Sequence, residues 1–357
     1  MKKQLFMPAR AVLALCAILM SCSDDTAINK VLGGYAEAPV FIAYKAASGT
    51  EIEFQFSVPV KVIDVFLDAD AEFEPFPEIY EPTIALRFLS DRPGGESVTA
   101  GFLVEDADGN SLNLLVPFKT RNERMPKILI NEVRLDCSKP ASEFIEFRTQ
   151  STGNLGAMRL FAASTSIEDP IYEFPPVEVA AGEYITLHIR TRDAVKEVDE
   201  LDGNLKKAKS EASKDVNDET RDLWVPGSVK YLHKADVIYL LDQDDRIIDA
   251  LLIAEGSSDW SKNKNLSKAA EFMAKQGAWL NKDGEAVKTP DHTDTVVSTG
   301  TTQTRTLCRD ETKADSNTLA DWYICYTSNA TPGDENSSKR HGTGSTSKSV
   351  KSVSASR

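Results

Sequence analysis

Apolar and polar residues alternate in several short segments of the first third of the chain. Apolar side chains occupy every second position of residues 51–56, 84–88 and 98–104. Side chains two residues apart in a strand lie on the same face of a sheet, so this period of two predicts half-buried antiparallel strands. The Asp108-Gly109 pair is typical of the turn in a hairpin. We therefore predict an antiparallel β-sandwich over residues 40–122.

Residues 127–147 show a different pattern, in which polar side chains interrupt two short apolar strands. The first strand contains Asn131 and Glu132, and the second contains Glu143 and Glu146. A buried amide or carboxylate is costly unless it is hydrogen-bonded. These four residues are therefore predicted to form a fixed polar network that sets the register of the strands. A pair of catalytic carboxylates is the alternative interpretation.

The stretch 127–147 resembles the start of the lamin-tail domain, which is an immunoglobulin-like β-sandwich. Further segments that resemble this family are residues 176–187, 236–253 and 330–336. The resemblance implies an all-β chain of two tandem immunoglobulin-like sandwiches, the second a lamin-tail-like domain at residues 127–336 with helical and loop insertions. It also adds an inward-facing Asp249 to the structural polar network. Residues 121–126 are the predicted junction between the two domains.

The chain departs from the lamin-tail pattern at two positions. Thr149 lies near the place where the family usually has an asparagine, and Met158 stands where a tryptophan commonly follows. The fold expectation survives these departures, but an inference of a shared binding partner does not. Over its length the chain is similar to uncharacterised spirochaete-type lipoproteins.

Two insertions interrupt the second domain, at residues 194–221 and 255–304. The first is highly charged and is predicted to be a loop or a frayed helix. The second contains an amphipathic helix at residues 265–280, because its apolar residues recur at helical spacing. Trp260 and Trp279 flank this helix. Packing against the core is the favoured interpretation of both, and an exposed aromatic platform for a sugar or protein is the alternative.

The N-terminus has the pattern of an export signal. Basic residues precede an apolar run at residues 11–20, which is too short to span a bilayer as a helix. The run leads to Cys22 in a sequence that resembles a bacterial lipobox, with residues 1–21 as signal peptide and 22–39 as tether. The resemblance implies that Cys22 carries lipid and anchors the chain to the cell membrane or outer membrane, periplasmic or surface-exposed. A plain signal peptide with an incidental cysteine is the alternative.

The charge balance argues against nucleic-acid binding by the folded domains. The formal net charge is −14 and the isoelectric point is near 4.9, so the chain repels phosphate groups. Residues 337–357 are predicted to be a disordered tail, because they lack core-forming residues. The tail offers weak nucleic-acid binding through five basic residues: Lys339, Arg340, Lys348, Lys351 and Arg357.

Motifs of the common metalloprotease, phosphate-loop and serine-hydrolase classes are absent from the sequence. His188 alternates with apolar residues and is predicted to lie on the outward, exposed face of its strand. His292 lies between two aspartates, but no regular element fixes them, so a loop is favoured over a metal site. The aspartates at residues 242–245 are predicted to form a solvated turn, with weak calcium binding as the alternative. We predict no catalytic residue, no metal and no cofactor.

Besides Cys22, the exported chain has three cysteines: Cys137, Cys308 and Cys325. Three thiols allow one disulfide and one unpaired cysteine, and the sequence leaves the pairing open. Cys308 with Cys325 is the preferred disulfide, because both lie in the closing segments of the second domain. Closing the 16-residue loop between them would add about 3 kcal/mol of stability.

These observations predict a non-catalytic binding or scaffold module at the cell envelope, with an envelope protein or glycan as its partner. One alternative is a secreted hydrolase such as a nuclease, or its accessory subunit, since lamin-tail-like domains in bacteria often accompany such enzymes. Weak nucleic-acid binding through the basic tail is a second alternative. The oligomeric state is not predicted.

Overall fold

The structure is a computed structural model that describes residues 38–138, 141–191, 193, 195–208, 215–256 and 260–342. The predicted signal peptide, Cys22 and residues 22–37 of the tether lie outside this part of the chain. Among the described residues, no helix is long and apolar enough to cross a membrane.

The chain divides into two compact units, each described separately below. In the described part, unit 1 comprises residues 38–45, Ile52–Leu89 and Thr99–Phe118. Unit 2 comprises Ala46–Glu51, Ser90–Val98 and the described residues from Lys119 onward. Three short segments of the predicted first domain, residues 46–51, 90–98 and 119–122, therefore belong to unit 2.

Five strands form the sheet of unit 1: β1 (Phe41–Ala46), β2 (Glu51–Leu67), β3 (Glu81–Arg87), β4 (Ser97–Asp106) and β5 (Ser111–Lys119). Their order is β1-β2-β4-β5, with β3 also paired to β2. The alternating apolar residues are buried as predicted, and Phe54 packs edge-on against Phe102 with ring centroids 4.8 Å apart. The all-β prediction is confirmed for this unit.

The hairpin between β4 and β5 is closed by the side chain of Asp106. Its Oδ1 accepts hydrogen bonds from the backbone N–H groups of Asp108 (2.9 Å) and Asn110 (2.8 Å). The Asn110 amide, together with these backbone donors, holds the pKa of Asp106 below its ordinary value. Gly109 has a φ of 83°, a left-handed conformation that favours glycine. The predicted turn is confirmed.

Unit 2 contains thirteen strands in the described residues. In chain order they are β6 (Ile128–Arg134), β7 (Phe144–Thr149), β8 (Gly153–Asn154), β9 (Arg159–Ala162), β10 (Tyr172–Glu173), β11 (Glu178–Val179), β12 (Tyr184–His188), β13 (Arg221–Trp224), β14 (Asp236–Leu241), β15 (Ile247–Ala254), β16 (Val296–Val297), β17 (Leu307–Arg309) and β18 (Trp322–Ile324). One sheet has the order β13-β12-β7-β6-β17-β18 and a second has the order β10-β9-β14-β15-β16. Strands β8 and β11 form a small third sheet.

The two large sheets of unit 2 share one apolar core. Ile130, Phe147 and Leu187 enter it from the six-stranded sheet, and Leu160 and Leu252 enter it from the five-stranded sheet. All five are fully buried. Because each strand alternates its side chains between two faces, the other face of the six-stranded sheet is left for polar residues. Unit 2 is therefore a β-sandwich, in agreement with the predicted fold class.

The second insertion packs against this sandwich through one helix, α1 (Lys264–Lys275), which begins one residue before the predicted 265–280, ends five residues short of it, and contacts β14 and β15. Asn263 caps its N-terminus by accepting hydrogen bonds from two backbone N–H groups. Trp260 and Trp279 are 5% and 1% exposed. The prediction that these tryptophans serve core packing is confirmed, and the exposed aromatic platform is wrong. Two 3-10 turns, Trp260–Lys262 and His292–Asp294, complete the insertion, and a third lies at Leu319–Asp321.

The prediction that His188 is exposed is wrong, because the first insertion covers it. That side chain does lie on the face of β12 away from the apolar core, but it is fully buried. Residues of the insertion cover this face, and its described part contributes the buried carboxylates of Glu197, Glu200 and Asp215. An inserted segment that follows a strand can therefore bury a face that periodicity alone assigns to solvent.

The start of the predicted disordered tail also requires correction. Residues 337–342 pack against the edge of the six-stranded sheet, where Arg340 forms a bridge with Cys325 and an ion pair with Asp310 (2.6 Å). The Arg340 guanidinium also stacks over the ring of Tyr323, 4.2 Å from its centroid. Residues 343–357, with Lys348, Lys351 and Arg357, lie outside the described part.

Candidate functional site

A row of polar side chains crosses the outer face of the six-stranded sheet. Strand register places Asp222, Thr186, Glu146, Glu132 and Cys308 side by side on five neighbouring strands. All five are fully buried. We call this row the outer polar layer. Its members alternate along their strands with the residues of the apolar core, which explains why they share the opposite face.

Two carboxyl groups at the centre of the outer polar layer are held by the closing segment of the domain. Glu146 accepts hydrogen bonds from the Asn131 amide (2.9 Å) and from the backbone N–H of Gly333. Glu132 accepts one from the backbone N–H of Thr331 (3.0 Å). Burial raises the pKa of Glu132 to about 7, and burial together with the neighbouring Glu132 raises the pKa of Glu146.

The remaining predicted network residues have other partners. Asp249 accepts from the backbone N–H of Ile130 (2.6 Å) and from the Arg309 guanidinium (2.7 Å). Burial raises its pKa to about 6, although Arg309 opposes that shift. Glu143 instead forms an ion pair with Arg190. The structure therefore divides the predicted network into separate clusters, around Glu132 and Glu146, around Asp249, and around Glu143.

A single side chain links the first two clusters. The amide of Asn336 donates to the backbone carbonyls of Asn131 (3.1 Å) and Arg309 (3.0 Å). Asn336 belongs to the closing segment, residues 330–336, which the sequence analysis assigned to the second domain. The sequence analysis did not identify Arg309 and Arg190 as the basic partners of Asp249 and Glu143. Arg309 directly follows Leu307 and Cys308, and an arginine next to two core-type residues could have indicated a buried ion pair.

His188 and Asp222 form a buried pair at one end of the outer polar layer. The His188 Nε2 lies 2.7 Å from Asp222 Oδ1, and the imidazole stacks on Trp224 with ring centroids 4.5 Å apart. The other ring nitrogen, Nδ1, has no hydrogen-bond partner. This pair has the elements of a general-base dyad, but both side chains are fully buried, so no surface substrate reaches them in this conformation.

The cysteines of the second domain lie at the other end of the same layer. Cys308 and Cys325 are both buried and both are free thiols. The Cys308 thiol, Thr306 and its backbone lower the pKa of Cys325 to about 6, against the effect of burial. The sequence correctly grouped these two cysteines, and their disulfide stays a prediction. Cys137, the third cysteine, is half-buried.

A buried carboxyl group outside this layer gives unit 2 a measurable pH dependence. Asp236 at the start of β14 is fully buried, and burial raises its pKa to about 7 in spite of hydrogen bonds from Ser164, His233 and Val237. In the unfolded chain the pKa of an aspartate is about 3.9. Between these pH values the folded state holds a proton that the unfolded state has lost, so stability is full below about pH 4 and declines toward about pH 7.

Asp236→Asn should therefore lose this pH dependence. Relative to the wild-type protein, the variant's melting temperature should rise by on the order of a few degrees between pH 4 and pH 7. Asp169→Asn, at an exposed position, is the matched control and should track the wild type. A temperature difference that stays constant across this range for Asp236→Asn would contradict the assignment.

A cavity of about 710 Å³ lies in unit 2. It is formed mostly by loops, together with residues of β8, β11 and β13, and we call it the loop cavity. Its charged lining residues are four arginines and four acids: Arg92, Arg121, Arg124, Arg221, Asp91, Glu123, Glu178 and Asp202. The lining charge therefore sums to zero. Gly49, Gly94, Gly203, Pro93, Pro176, Leu201, Asn122 and Asn154 complete the lining.

Ion pairs fix the shape of the loop cavity. Arg121 makes two hydrogen bonds to Asp244, at 3.0 and 2.7 Å, and Arg124 makes two to Glu178, at 3.1 and 2.8 Å. Two parallel bonds hold a guanidinium in one orientation more firmly than one. The Asn122 amide donates to the backbone carbonyls of Asn154 (2.7 Å) and Gly156 (2.8 Å). Residues 121–124, predicted only as a domain junction, are thus a rigid wall of this cavity.

Comparison with known proteins places unit 2 in a described family. The family model named TP_1001_2nd, described as a protein second domain, matches residues 126–324, more than half of the chain. The chain belongs to this TP_1001 second-domain family. The match includes all thirteen strands of unit 2, and with them Glu132, Glu146, Asp249 and Cys308. It ends one residue before Cys325.

A similar protein is found in a spirochaete. An uncharacterized protein of Treponema pallidum (strain Nichols) is 26% identical over 210 residues, which cover 55% of this chain and 51% of that protein. The predicted similarity to an uncharacterised spirochaete protein is confirmed. The chain spans about half the length of this curated relative.

A DUF4876 family protein from Bacteroides thetaiotaomicron is similar at 12% identity with a TM-score of 0.28, covering 74% of this chain and 90% of that one.

Proposed function

We propose that this chain is an exported, lipid-anchored binding or scaffold protein of the cell envelope, which holds a partner in the loop cavity and catalyses no reaction. The observation that supports the proposal is the loop cavity itself. Its volume of about 710 Å³ is within the usual range of ligand sites. Its walls are mostly loops, held in part by paired charges, and recognition residues are commonly placed on loops of a rigid scaffold.

The lining of the loop cavity favours a segment of a protein partner. Four arginines balanced by four acids give no net attraction for a polyanion such as nucleic acid. The lining contains no aromatic residue on which a sugar ring would stack. Arginine is enriched at protein interfaces, and side chains already held in ion pairs lose little further entropy on binding. We therefore favour an envelope protein over a glycan.

The position of the reactive groups supports the non-catalytic part of the proposal. Glu132, Glu146, His188 and Cys308 are fully buried. The two carboxyl groups are already bonded to Thr331 and Gly333. A buried carboxyl group that is satisfied by backbone donors is well suited to fix strand register. The sandwich fold of unit 2 also fits the lamin-tail-like domain that residues 127–147 resemble.

A charge reversal inside the cavity tests the binding function. Glu178→Lys places a second cation beside Arg124, so it should reduce recovery of the partner from a source-envelope extract by at least tenfold. Glu168→Lys makes the same change at an exposed position that does not line the cavity, and it should bind as the wild type. Residues 23–357 serve as bait, and recovery is quantified by mass spectrometry after cross-linking.

Two outcomes of this experiment would overturn the proposal. One is equal recovery by both variants, which would exclude the loop cavity as the binding site. The other is turnover by the wild-type chain of nuclease, phosphatase, esterase or glycosidase substrates, with or without Ca²⁺, Mg²⁺ or Zn²⁺. Thermal melting of both variants confirms that the fold is retained, since an exposed ion pair such as Arg124–Glu178 contributes only about 0–1 kcal/mol.

The anchor has a separate test at Cys22. The prediction is based on the lipobox-like sequence at residues 19–22, at the C-terminal end of a short apolar run. Two or more acyl chains give a stable membrane anchor where one does not. Cys22→Ser should therefore move the protein from the detergent phase to the aqueous phase on phase partitioning. A mature-length variant that stays with the membrane would refute the lipid anchor.

A further inference from the structure

Three metal-ligating side chains converge at the end of the outer polar layer. One carboxylate oxygen of Glu132 and the sulfur atoms of Cys308 and Cys325 all lie within 4.8 Å of one another. They come from β6, from β17 and from the residue after β18. All three side chains are fully buried, so the cluster is an interior feature and is distinct from acidic groups on the surface.

A fourth polar atom completes the arrangement. The Thr306 hydroxyl lies 3.1 Å from Cys325 Sγ and 3.5 Å from Cys308 Sγ, and it also donates to Glu132 Oε1. Tetrahedral zinc has bonds of about 2.3 Å to sulfur and about 2.0–2.2 Å to oxygen, so its ligand atoms lie roughly 3.3–3.8 Å apart. The three ligand atoms lie within 4.8 Å of one another, close enough to share one such ion after small movements of their side chains, and the Thr306 hydroxyl lies beside all three.

The surroundings of Glu132 fit a cation bound by these atoms. Its second oxygen, Oε2, accepts from the backbone N–H of Thr331 (3.0 Å) and from the Thr331 hydroxyl (3.3 Å). Carboxylates that ligate a metal are usually oriented by such outer hydrogen bonds. Glu146 lies directly beside Glu132 on the next strand. Two neighbouring buried carboxyl groups are costly, and a bound cation would offset that cost.

Strand register favours a metal over a disulfide at this place. Cys308 lies opposite Tyr323, and Leu307 lies opposite Ile324, so Cys325 is the diagonal neighbour of Cys308. Diagonal residues on antiparallel strands are about 7–8 Å apart. Disulfides usually require a Cα–Cα distance of about 4.4–6.8 Å. Two sulfur ligands of one metal ion tolerate the larger separation.

We propose that Glu132, Cys308 and Cys325 bind one divalent cation of the Zn²⁺ class, with the Thr306 hydroxyl or a water molecule in the fourth position. Two thiolates select a soft or borderline cation over Ca²⁺ and Mg²⁺. The site is structural, because it joins β6, β17 and the strand edge that leads into the closing segment. It is independent of the partner proposed for the loop cavity.

The test uses residues 23–357 that have been reduced, stripped of metal with a chelator and reloaded with Zn²⁺ or Cd²⁺. Native mass spectrometry should show one ion per chain, and X-ray absorption should show two sulfur ligands at about 2.3 Å from zinc. Cd²⁺ should give a sulfur-to-metal charge-transfer band. Because a ligand that binds only the folded state stabilises it, Zn²⁺ should also raise the melting temperature.

Matched cysteine variants locate the site. Cys308→Ser and Cys325→Ser should each abolish the Cd²⁺ charge-transfer band, whereas Cys137→Ser should keep it. The proposal is overturned if the reduced wild-type chain binds no Zn²⁺ or if its zinc has no sulfur ligands. It is also overturned if non-reducing peptide mapping finds Cys308 linked to Cys325 in the isolated protein. These wild-type measurements remain decisive even where a serine variant fails to fold.

Discussion

Asp249→Asn should lower the free energy of unfolding of unit 2 by about 1–3 kcal/mol, because it removes the more deeply buried of the two carboxylates that pair with the Arg309 guanidinium. Arg309 and Asp249 are 6% and 1% exposed, and their charged atoms lie 2.7 Å apart. Asp249 also accepts the backbone N–H of Ile130 (2.6 Å), and an asparagine satisfies both donors less well than a carboxylate. Denaturant unfolding of wild type and variant measures the difference.

Asp245→Asn in the same hairpin is the matched control. Asp245 pairs with Arg159 at 2.6 Å, but its side chain is 74% exposed. An exposed pair contributes about 0–1 kcal/mol. Asp245 has a φ of 61°, which asparagine tolerates well, so this variant isolates the loss of charge. Equal losses in the two variants would show that burial of the Asp249–Arg309 pair has no special energetic role.

A double variant separates the worth of the ion pair from the cost of leaving one of its charges buried. Asp249→Asn combined with Arg309→Met removes both charges and keeps an apolar side chain against Trp322, over which the guanidinium now stacks at 4.7 Å. Replacing a whole buried ion pair by apolar groups is often nearly neutral. The double variant should therefore be more stable than Asp249→Asn alone. If it is less stable, hydrogen bonds from Arg309 to Ile130 and Asp315 outweigh the charge effect.

The all-β fold could be predicted because strand periodicity is a local property. Ile52, Phe54 and Phe56 alternate in the sequence, and all three are buried in the structure. Helix α1 was predicted for the same reason, since Leu266, Ala270 and Met273 recur at helical spacing and are buried. Each of these patterns is completed within about a dozen residues, so no distant part of the chain is needed to interpret it.

The partners of the polar residues could not be predicted, because they are distant in sequence. The hydrogen bond from Ile130 to Asp249 spans 119 residues, and the bond from Arg309 to Ile130 spans 179. The sequence identified which polar residues lie in apolar strands, but it gave no distance between strands. The prediction that His188 is exposed was wrong for a related reason, because the insertion that covers it has no apolar periodicity of its own.

The loop cavity was missed for the same physical reason. Its walls come from segments around Gly49, Gly94, Asn122, Asn154 and Gly203, which share no pattern in the sequence. Glycines were the sequence feature that could have indicated the closely packed walls of the cavity. A Cβ atom at Gly156 would collide with the backbone of Gly94, and one at Gly94 would collide with Asn122, and such close approach is a common reason for glycine.

Gly156→Ala is expected to have the second large effect on stability, because of this close approach. A Cβ atom at Gly156 would lie 1.7 Å from the backbone oxygen of Gly94. A flexible side chain could rotate away from such a contact, but a backbone carbonyl cannot. The segment of Gly94 must move, which also strains the hydrogen bonds from Asn122 to Asn154 and Gly156. We expect a loss of about 3 kcal/mol in unfolding free energy.

Gly203→Ala is the control, because a Cβ there would meet no atom within 4 Å. Alanine at such a position should leave stability unchanged or raise it by about 0.4–1 kcal/mol through the unfolded state. Gly94, Asn122 and Asn154 line the loop cavity, so Gly156→Ala should also weaken partner recovery under conditions where the variant is still folded. Retained partner binding by a destabilised but folded Gly156→Ala would mean that this wall of the cavity serves only stability, and that recognition depends on the charged wall at Arg124 and Glu178.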